Sequence, residues 1–217
     1  MPRILAVADE PFPGLPDVLR ARPDVIVSCG DIPWDDLEHI VDAVNAPLLF
    51  VPGNHDPALT PAPIALLGLP AIANQHFVDP PGPRGGSNVD GRVEDVAGLR
   101  IAGLGGSIRY RPGPNQYTQT EMRRRVRRLR RRVAWKTRRD GRPVDVVIAH
   151  SPPQGMGDDD DAPHEGFDAF HDLIARLQPK LFLHGHIHPY GIVRPDRRVN
   201  GTRIVNVVPY KVIDLDA

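Results

Sequence analysis

Apolar residues in the first quarter of the chain fall in short unbroken runs, separated by segments in which they recur with helical spacing. Residues 3–8, 25–28 and 48–51 are aliphatic and β-branched stretches. At that length they predict strands buried on both faces. Between them, residues 15–20 and 35–44 carry the helical pattern. In the second, Leu37, Ile40, Val41 and Val44 share one face, Pro33 and Asp35 suit a helix start, and Asn45-Ala46-Pro47 an end. Strands alternating with helices predict parallel pairing with helices covering the sheet.

Farther along, residues 93–97 and 99–104 read as a hairpin pair joined by Gly98, and residues 144–149 and 181–183 as strands. Residues 167–177 read as an amphipathic helix. Residues 191–194 and 204–208 read as strands flanking an Asn200-Gly201 turn, a strong hairpin signal. Residues 61–70 suit a loop or short helix, and residues 79–91, with the core PPGPRGGS, a mobile loop. Residues 121–139 predict a long helix in which Met122, Val126, Leu129 and Val133 form one narrow apolar stripe and nearly everything else is arginine.

A chain of 217 residues with 41% hydrophobic content can bury one full core, so a single domain over residues 1–217 is expected. The 20 glycines and 25 prolines imply many loops. The lone cysteine, Cys29, excludes an intramolecular disulfide and reads as a small buried residue. The apolar run at the N-terminus is too short for a signal peptide or a membrane span, so a cytoplasmic protein without a membrane partner is expected. Net charge is zero, but the charges are poorly mixed. Between Glu121 and Arg142 stand twelve cations and two anions, and four aspartates run from 158 to 161.

Six residues carry the candidate chemistry: Asp9, Asp31, Asn54, His150, His186 and His188. Each sits at the end of a predicted strand or in the loop just beyond, where an open α/β sheet offers its crevice. The set is rich in oxygen and nitrogen and has no thiolate. It suits two hard or borderline divalent ions, with Mn expected and Fe, Mg or Zn as alternatives. Two such ions about 3.5–4 Å apart can clamp a phosphoryl group and activate water.

The segments Gly30-Asp31, Gly53-Asn54-His55-Asp56, the strand end at His150, and Gly185-His186-Ile187-His188 resemble, in order and spacing, the calcineurin-like metallophosphoesterases. The resemblance implies an α/β fold, a two-sheet β-sandwich flanked by helices, with two metals at one edge. Asp31 would bridge the ions. Asp9 and His188 would serve the first, and Asn54, His150 and His186 the second. His55 would act as general acid, with Asp56 orienting its ring. One departure stands out. The family's first motif is usually Asp-x-His, and here it is Asp9-Glu10-Pro11. Proline cannot ligate, so the first site is one ligand short and is expected to bind weakly. Water or a side chain near in sequence, Glu10 or His39, could fill the gap; operation on a single ion is the further alternative.

The remaining histidines read more plainly. His184 is expected to face the other side of its sheet, His39 and His171 to lie on helix surfaces, and His76 in a loop. His164 lies in the loop after His150 and is a candidate to face substrate, as is Tyr110 before the arginine helix. On that helix Arg124, Arg128 and Arg131, with Trp135 opposite the apolar stripe, read either as a solvated face or as a track for phosphates, with the indole stacking on a base. The expected activity is metal-dependent hydrolysis of phosphodiesters in nucleic acid or nucleotides, including nuclease action on single strands. The alternatives are a cyclic-nucleotide or small-molecule phosphodiesterase or phosphatase, and a catalytically weak metal-bound nucleotide-binding module. Oligomeric state is not legible.

Overall fold

The computed structural model describes residues 1–11, 15–59, 82–191 and 195–215. The first buried run forms β1 (Arg3–Val7), followed by α1 (Leu15–Ala21), β2 (Val25–Ser28), α2 (Trp34–Val44) and β3 (Leu48–Phe50). β4 (Gly86–Asn88) adds to β3 in parallel. The closing strand β13 (Tyr210–Asp214) adds antiparallel to β1, giving a sheet of order β13-β1-β2-β3-β4.

The second sheet starts with the antiparallel pair β5 (Val93–Val96) and β6 (Leu99–Leu104). A two-residue pair, β7 (Ser107–Ile108) with β8 (Gln116–Tyr117), leads into the long helix α3 (Gln119–Asp140). Then come β9 (Val146–Ala149), α4 (Ala169–Leu177), β10 (Leu181–His184), and the hairpin of β11 (Arg197–Val199) and β12 (Thr202–Asn206). The order is β11-β12-β10-β9-β6-β5, parallel at its centre.

Alternation along the buried strands builds the layers. Ile4, Ala6 and Ala8 face Val27, Ile148 and Leu183 between the two sheets, while Leu5 and Val7 face Val18, Leu37 and Ile40 of α1 and α2. Val146 and Ile148 point between the sheets; Val147 and Ala149 meet Met122 and Phe170 of α3 and α4. The result is helix, sheet, sheet, helix. Each fully buried aliphatic side chain contributes about 1.5–3 kcal/mol.

α3 begins with a capping box, in which Thr118 and Glu121 satisfy each other's backbone N–H, and ends at Gly141 in left-handed conformation. The four residues of its apolar stripe, Met122, Val126, Leu129 and Val133, are all buried. The far end of the helix is fastened by Arg100 on β6. That guanidinium is fully buried and bonds Asp95 (2.8 Å), Asp140 (2.6 Å) and the carbonyl of Arg142 (2.8 Å).

Three sequence expectations change. Residues 86–88, expected within a loop, form β4, because backbone pairing with β3 needs no apolar side chains. β13 stands outside the expected elements. The Asn200-Gly201 turn closes a hairpin, but its first arm is β11 rather than residues 191–194, of which 192–194 lie outside the described residues. So do residues 61–70, His76 and the start of the expected loop at 79–91. Among the described residues, no helix is long and apolar enough to cross a membrane.

Candidate metal centre

The strand ends that carry the candidate ligands turn sharply. Asp9 (φ 63°), Asp31 (φ 57°) and His186 (φ 68°) all adopt the left-handed backbone region, which costs non-glycine residues energy and collects at functional sites. Close approach dictates the neighbouring glycines. A Cβ on Gly53 would lie 2.1 Å from Asp31 Oδ1, and one on Gly185 2.3 Å from Asp9 Oδ2. The short Gly-containing motifs are therefore packing requirements of the carboxylates beside them.

Backbone bonds fix those carboxylates. Asp9 Oδ2 accepts the His186 N–H at 2.7 Å, and Asp31 Oδ1 accepts the His55 N–H at 2.8 Å. Asp56 Oδ2 accepts N–H groups from Gly53 (2.8 Å) and Asp31 (3.0 Å), clamping the two motif loops together. This differs from the expected role of orienting the His55 ring: no bond between Asp56 and that ring occurs among the described residues. Asn115, between β7 and β8, adds a tie by donating to the Asp56 carbonyl at 3.0 Å.

The imidazoles are aimed by acceptors behind them. His150 Nδ1 donates to the Cys29 carbonyl (2.8 Å), His186 Nε2 to the Pro163 carbonyl (2.8 Å), and His188 Nδ1 to Glu10 Oε1 (3.0 Å). A proton on each of these nitrogens leaves a lone pair on the other nitrogen of the ring, the arrangement of a metal ligand oriented by an outer partner. His150 Nε2 then faces Asn54 Oδ1 at 2.9 Å and Asp31 Oδ2 at 3.3 Å, and Asn54 Nδ2 is buried without a partner. Donor atoms of Asp9, His150 and His186 lie within 4.8 Å of one another. Lone pairs converging in a buried volume call for a cation.

The protonation tendencies agree. Burial lowers the His150 pKa, but the Asp31 and Asp9 carboxylates outweigh it and bring it up to about 9. Burial likewise raises Asp31, and there His150 prevails, drawing it to about 2. Asp9 is raised, chiefly by burial. The His150 and Asp31 shifts both record the strong attraction between the buried Asp31 carboxylate and positive charge at this point. The donor set fits divalent ions favouring oxygen and imidazole.

The resulting cavity, about 270 Å³, is lined by Asp9, Asp31, Asn54, His55, Tyr110, Pro163, His164, His186 and His188. His150 lies fully buried beneath it, its ring 4.8 Å from that of His186. Tyr110 and His164 thus reach the rim as candidates. Asp161 holds His164, and Asp158 accepts the Gly166 N–H, so part of the acidic run shapes this loop. His39 is exposed on α2 and does not line the cavity, so it does not serve as the missing ligand there. Arg124, Arg128, Arg131 and Trp135 do not line it either. The carbonyls of Cys29 and Pro163 were missed from sequence. A backbone carbonyl leaves no residue-type signal.

Two solved structures share this architecture. One superposes with a TM-score of 0.59 at 16% identity, covering 100% of both chains. The other, TT1561 of Thermus thermophilus, gives 0.55 at 20% identity, covering 95% of this chain and 88% of its own. At these identities they speak for the fold. No curated protein matches the chain. The sequence profile of the calcineurin-like phosphoesterases matches residues 5–190. That span holds every residue that shapes the cavity, and with it the chain belongs to the calcineurin-like phosphoesterases, metal-dependent hydrolases of phosphoesters whose centre takes two divalent ions.

Proposed function

We propose that the protein is a cytoplasmic, manganese-dependent phosphodiesterase acting on nucleotide or nucleic-acid phosphodiesters. The observation that carries this reading is the cation-demanding point formed by Asp31, Asn54 and His150, directly beside an exposed His55. When bound, the ions supply electrophilic stabilisation of phosphoryl oxygens and acidify water. The chain supplies the rest. His55 is anchored through its own N–H to Asp31 and is placed to give a proton to the departing oxygen, a contribution of about 10²–10⁴-fold. Tyr110 and His164 bound the substrate on the open side.

The polyanion reading draws on α3. Seven cations on or just after it have partners: Arg123 pairs with Asp168, Arg125 with Asp90, Arg130 with Asp172 and Lys136 with Asp95, Arg132 and Arg142 bond carbonyls, and Arg139 lies over Trp135. Arg124, Arg127, Arg128, Arg131 and Arg138 have none among the described residues, and Trp135 between them is 63% exposed. Bare arginines and an indole on one face suit a single strand. The second reading, a small or cyclic nucleotide as substrate, is favoured by the same geometry seen from the cavity, since the stripe stands apart from it.

Hydrolysis of labelled single-stranded RNA and DNA, with a cyclic nucleotide in parallel, tests both in protein stripped of metal and refilled with Mn. Polymer cleavage is expected, with His55→Ala at least about a hundredfold slower at unchanged metal content. Turnover of the cyclic nucleotide alone would select the second reading. Equal loss of metal in the variant would make His55 structural.

A further inference from the structure

The metal cavity does not end at His55. A second depression of about 420 Å³ adjoins it, and Asp31 and His55 line both. Its walls are Pro33, the half-buried Trp34, Asp35 and Pro57. We propose that this depression is the leaving-group subsite and that it receives one uncharged planar aromatic group, the base of a nucleoside, against the Trp34 indole. The proposal rests on reading His55 as the proton donor of a phosphodiesterase.

Position is the first argument. A residue that protonates the departing oxygen must stand between the phosphorus and the body of the leaving group. His55 is the proton-donating residue shared by the metal cavity and this depression. Shape is the second. Pro33, Pro57 and the half-buried Trp34 line it together, and prolines have few internal rotations, so a flat group can dock with little ordering of the protein.

Charge is the third argument, and it sets the specificity. Among the described residues, no Lys or Arg lines the depression. Asp35 lines it without a bonding partner among the described residues, and Asp36 follows in the first turn of α2. The carboxylate of Asp56 is already taken by two backbone N–H groups. A further phosphate on the leaving side would meet uncompensated carboxylate, and like charges repel. The subsite therefore ends after one nucleoside. The rest of any polynucleotide must lie on the other side of the scissile phosphate.

The chain has two tryptophans, Trp34 and Trp135, which makes the test direct. In Mn-loaded Trp135→Phe protein, Trp34 is the only indole. Adenosine, which has no phosphate to bind the metals, is expected to quench its fluorescence saturably, and ribose is not. With the dinucleoside phosphate ApA, which releases a nucleoside whichever ester bond breaks, Trp34→Leu should raise KM about tenfold, the size of one lost base stack. Trp34→Phe should recover most of it. Absence of saturable quenching, equal quenching by ribose, or an unchanged KM in Trp34→Leu would overturn the subsite. If ApA is hydrolysed but Trp34 does not respond, the subsite fails while the phosphodiesterase reading stands. If adenosine quenches Trp34 but no diester is cut, the phosphodiesterase reading fails and the depression is a nucleoside site.

Discussion

At the metal edge, backbone and second side chains speak for nearly every ligand. Asp9 holds the His186 N–H, Asp31 holds that of His55, and three imidazoles are aimed by Cys29, Pro163 and Glu10. Along the back of α3, Arg124, Arg128, Arg131 and Arg138 have no hydrogen-bond or ion-pair partner among the described residues. Both regions concentrate charge, yet they organise it in opposite ways. The buried edge fixes its groups before any ligand arrives, so binding needs little reorganisation. The helix face keeps long, mobile side chains in water, where each contributes little alone and their fields add. A preorganised site should fail abruptly when one group is changed, and a solvated stripe by degrees.

The largest expected effect tests the abrupt side. Asp31→Asn preserves shape but removes a negative charge facing His150 and the proposed ions. Turnover should fall by about a thousandfold or more, and metal content, measured by elemental analysis, should fall with it. Full metal content in the variant would show that Asp31 does not join the two sites.

Arg100 extends the contrast from function to stability, because it is an arginine handled in the manner of the metal edge. Arg100→Met leaves the half-exposed Asp95 and Asp140 without their shared partner and should lower stability in denaturant unfolding. The pH dependence gives a check on cause. Hydrogen bonding to Arg100 draws the Asp95 pKa down to about 2. A depressed carboxylate contributes stability above its unfolded pKa, near 3.9, and loses it as pH falls through the folded value. The wild type's advantage over the variant should therefore shrink between about pH 4 and pH 2. A gap constant over that window would assign the loss to packing.

What was readable in the sequence follows the same division. β1, β2, β3, β9 and β10 were legible because strands buried on both faces need long apolar runs, and β6 because Arg100 is the one charge in its own. The ligand motifs were legible because Gly53 and Gly185 must leave room for the carboxylates. β4 was hidden because Gly86-Ser87-Asn88 joins the sheet by backbone alone. The clamp of Asp56 was hidden because its partners are amides, and every residue has one. Trp34, three residues after Asp31, had no apolar pattern of its own to mark it as part of a groove. The helical period did place Arg124, Arg128, Arg131 and Trp135 together on the outer face. It could not show that the flanking arginines would be neutralised by Asp90, Asp168 and Asp172, which lie in other segments.

A smaller effect is expected on the stripe. Replacing Arg124, Arg128 and Arg131 together with Gln should leave unfolding free energy within about 0.5 kcal/mol, as for surface positions generally. If the stripe tracks a strand, affinity for single-stranded RNA should fall, and the slope of log K against log salt should flatten by about 2, near 0.7 for each of three phosphates lost. An unchanged slope would return the stripe to a solvated face.

The smallest effect is expected where the edge is least committed. Pro11 occupies the place of a usual ligand, and the neighbouring Glu10 instead bonds His188. Its carboxylate bonds the Nδ1 side of that ring, which would leave the Nε2 lone pair for an ion without Glu10 itself replacing the usual histidine. Pro11→His should therefore raise Mn affinity at the weaker site by about tenfold, roughly the range attributed to one outer or marginal ligand. Calorimetric titration should show this as a second binding step moving to lower Mn concentration, with the tighter step unmoved. An unmoved weak step would mean that a protein group already fills that position. Glu10 would then be the residue to delete, because it is the carboxylate beside Asp9 in sequence and bonded to His188 in space.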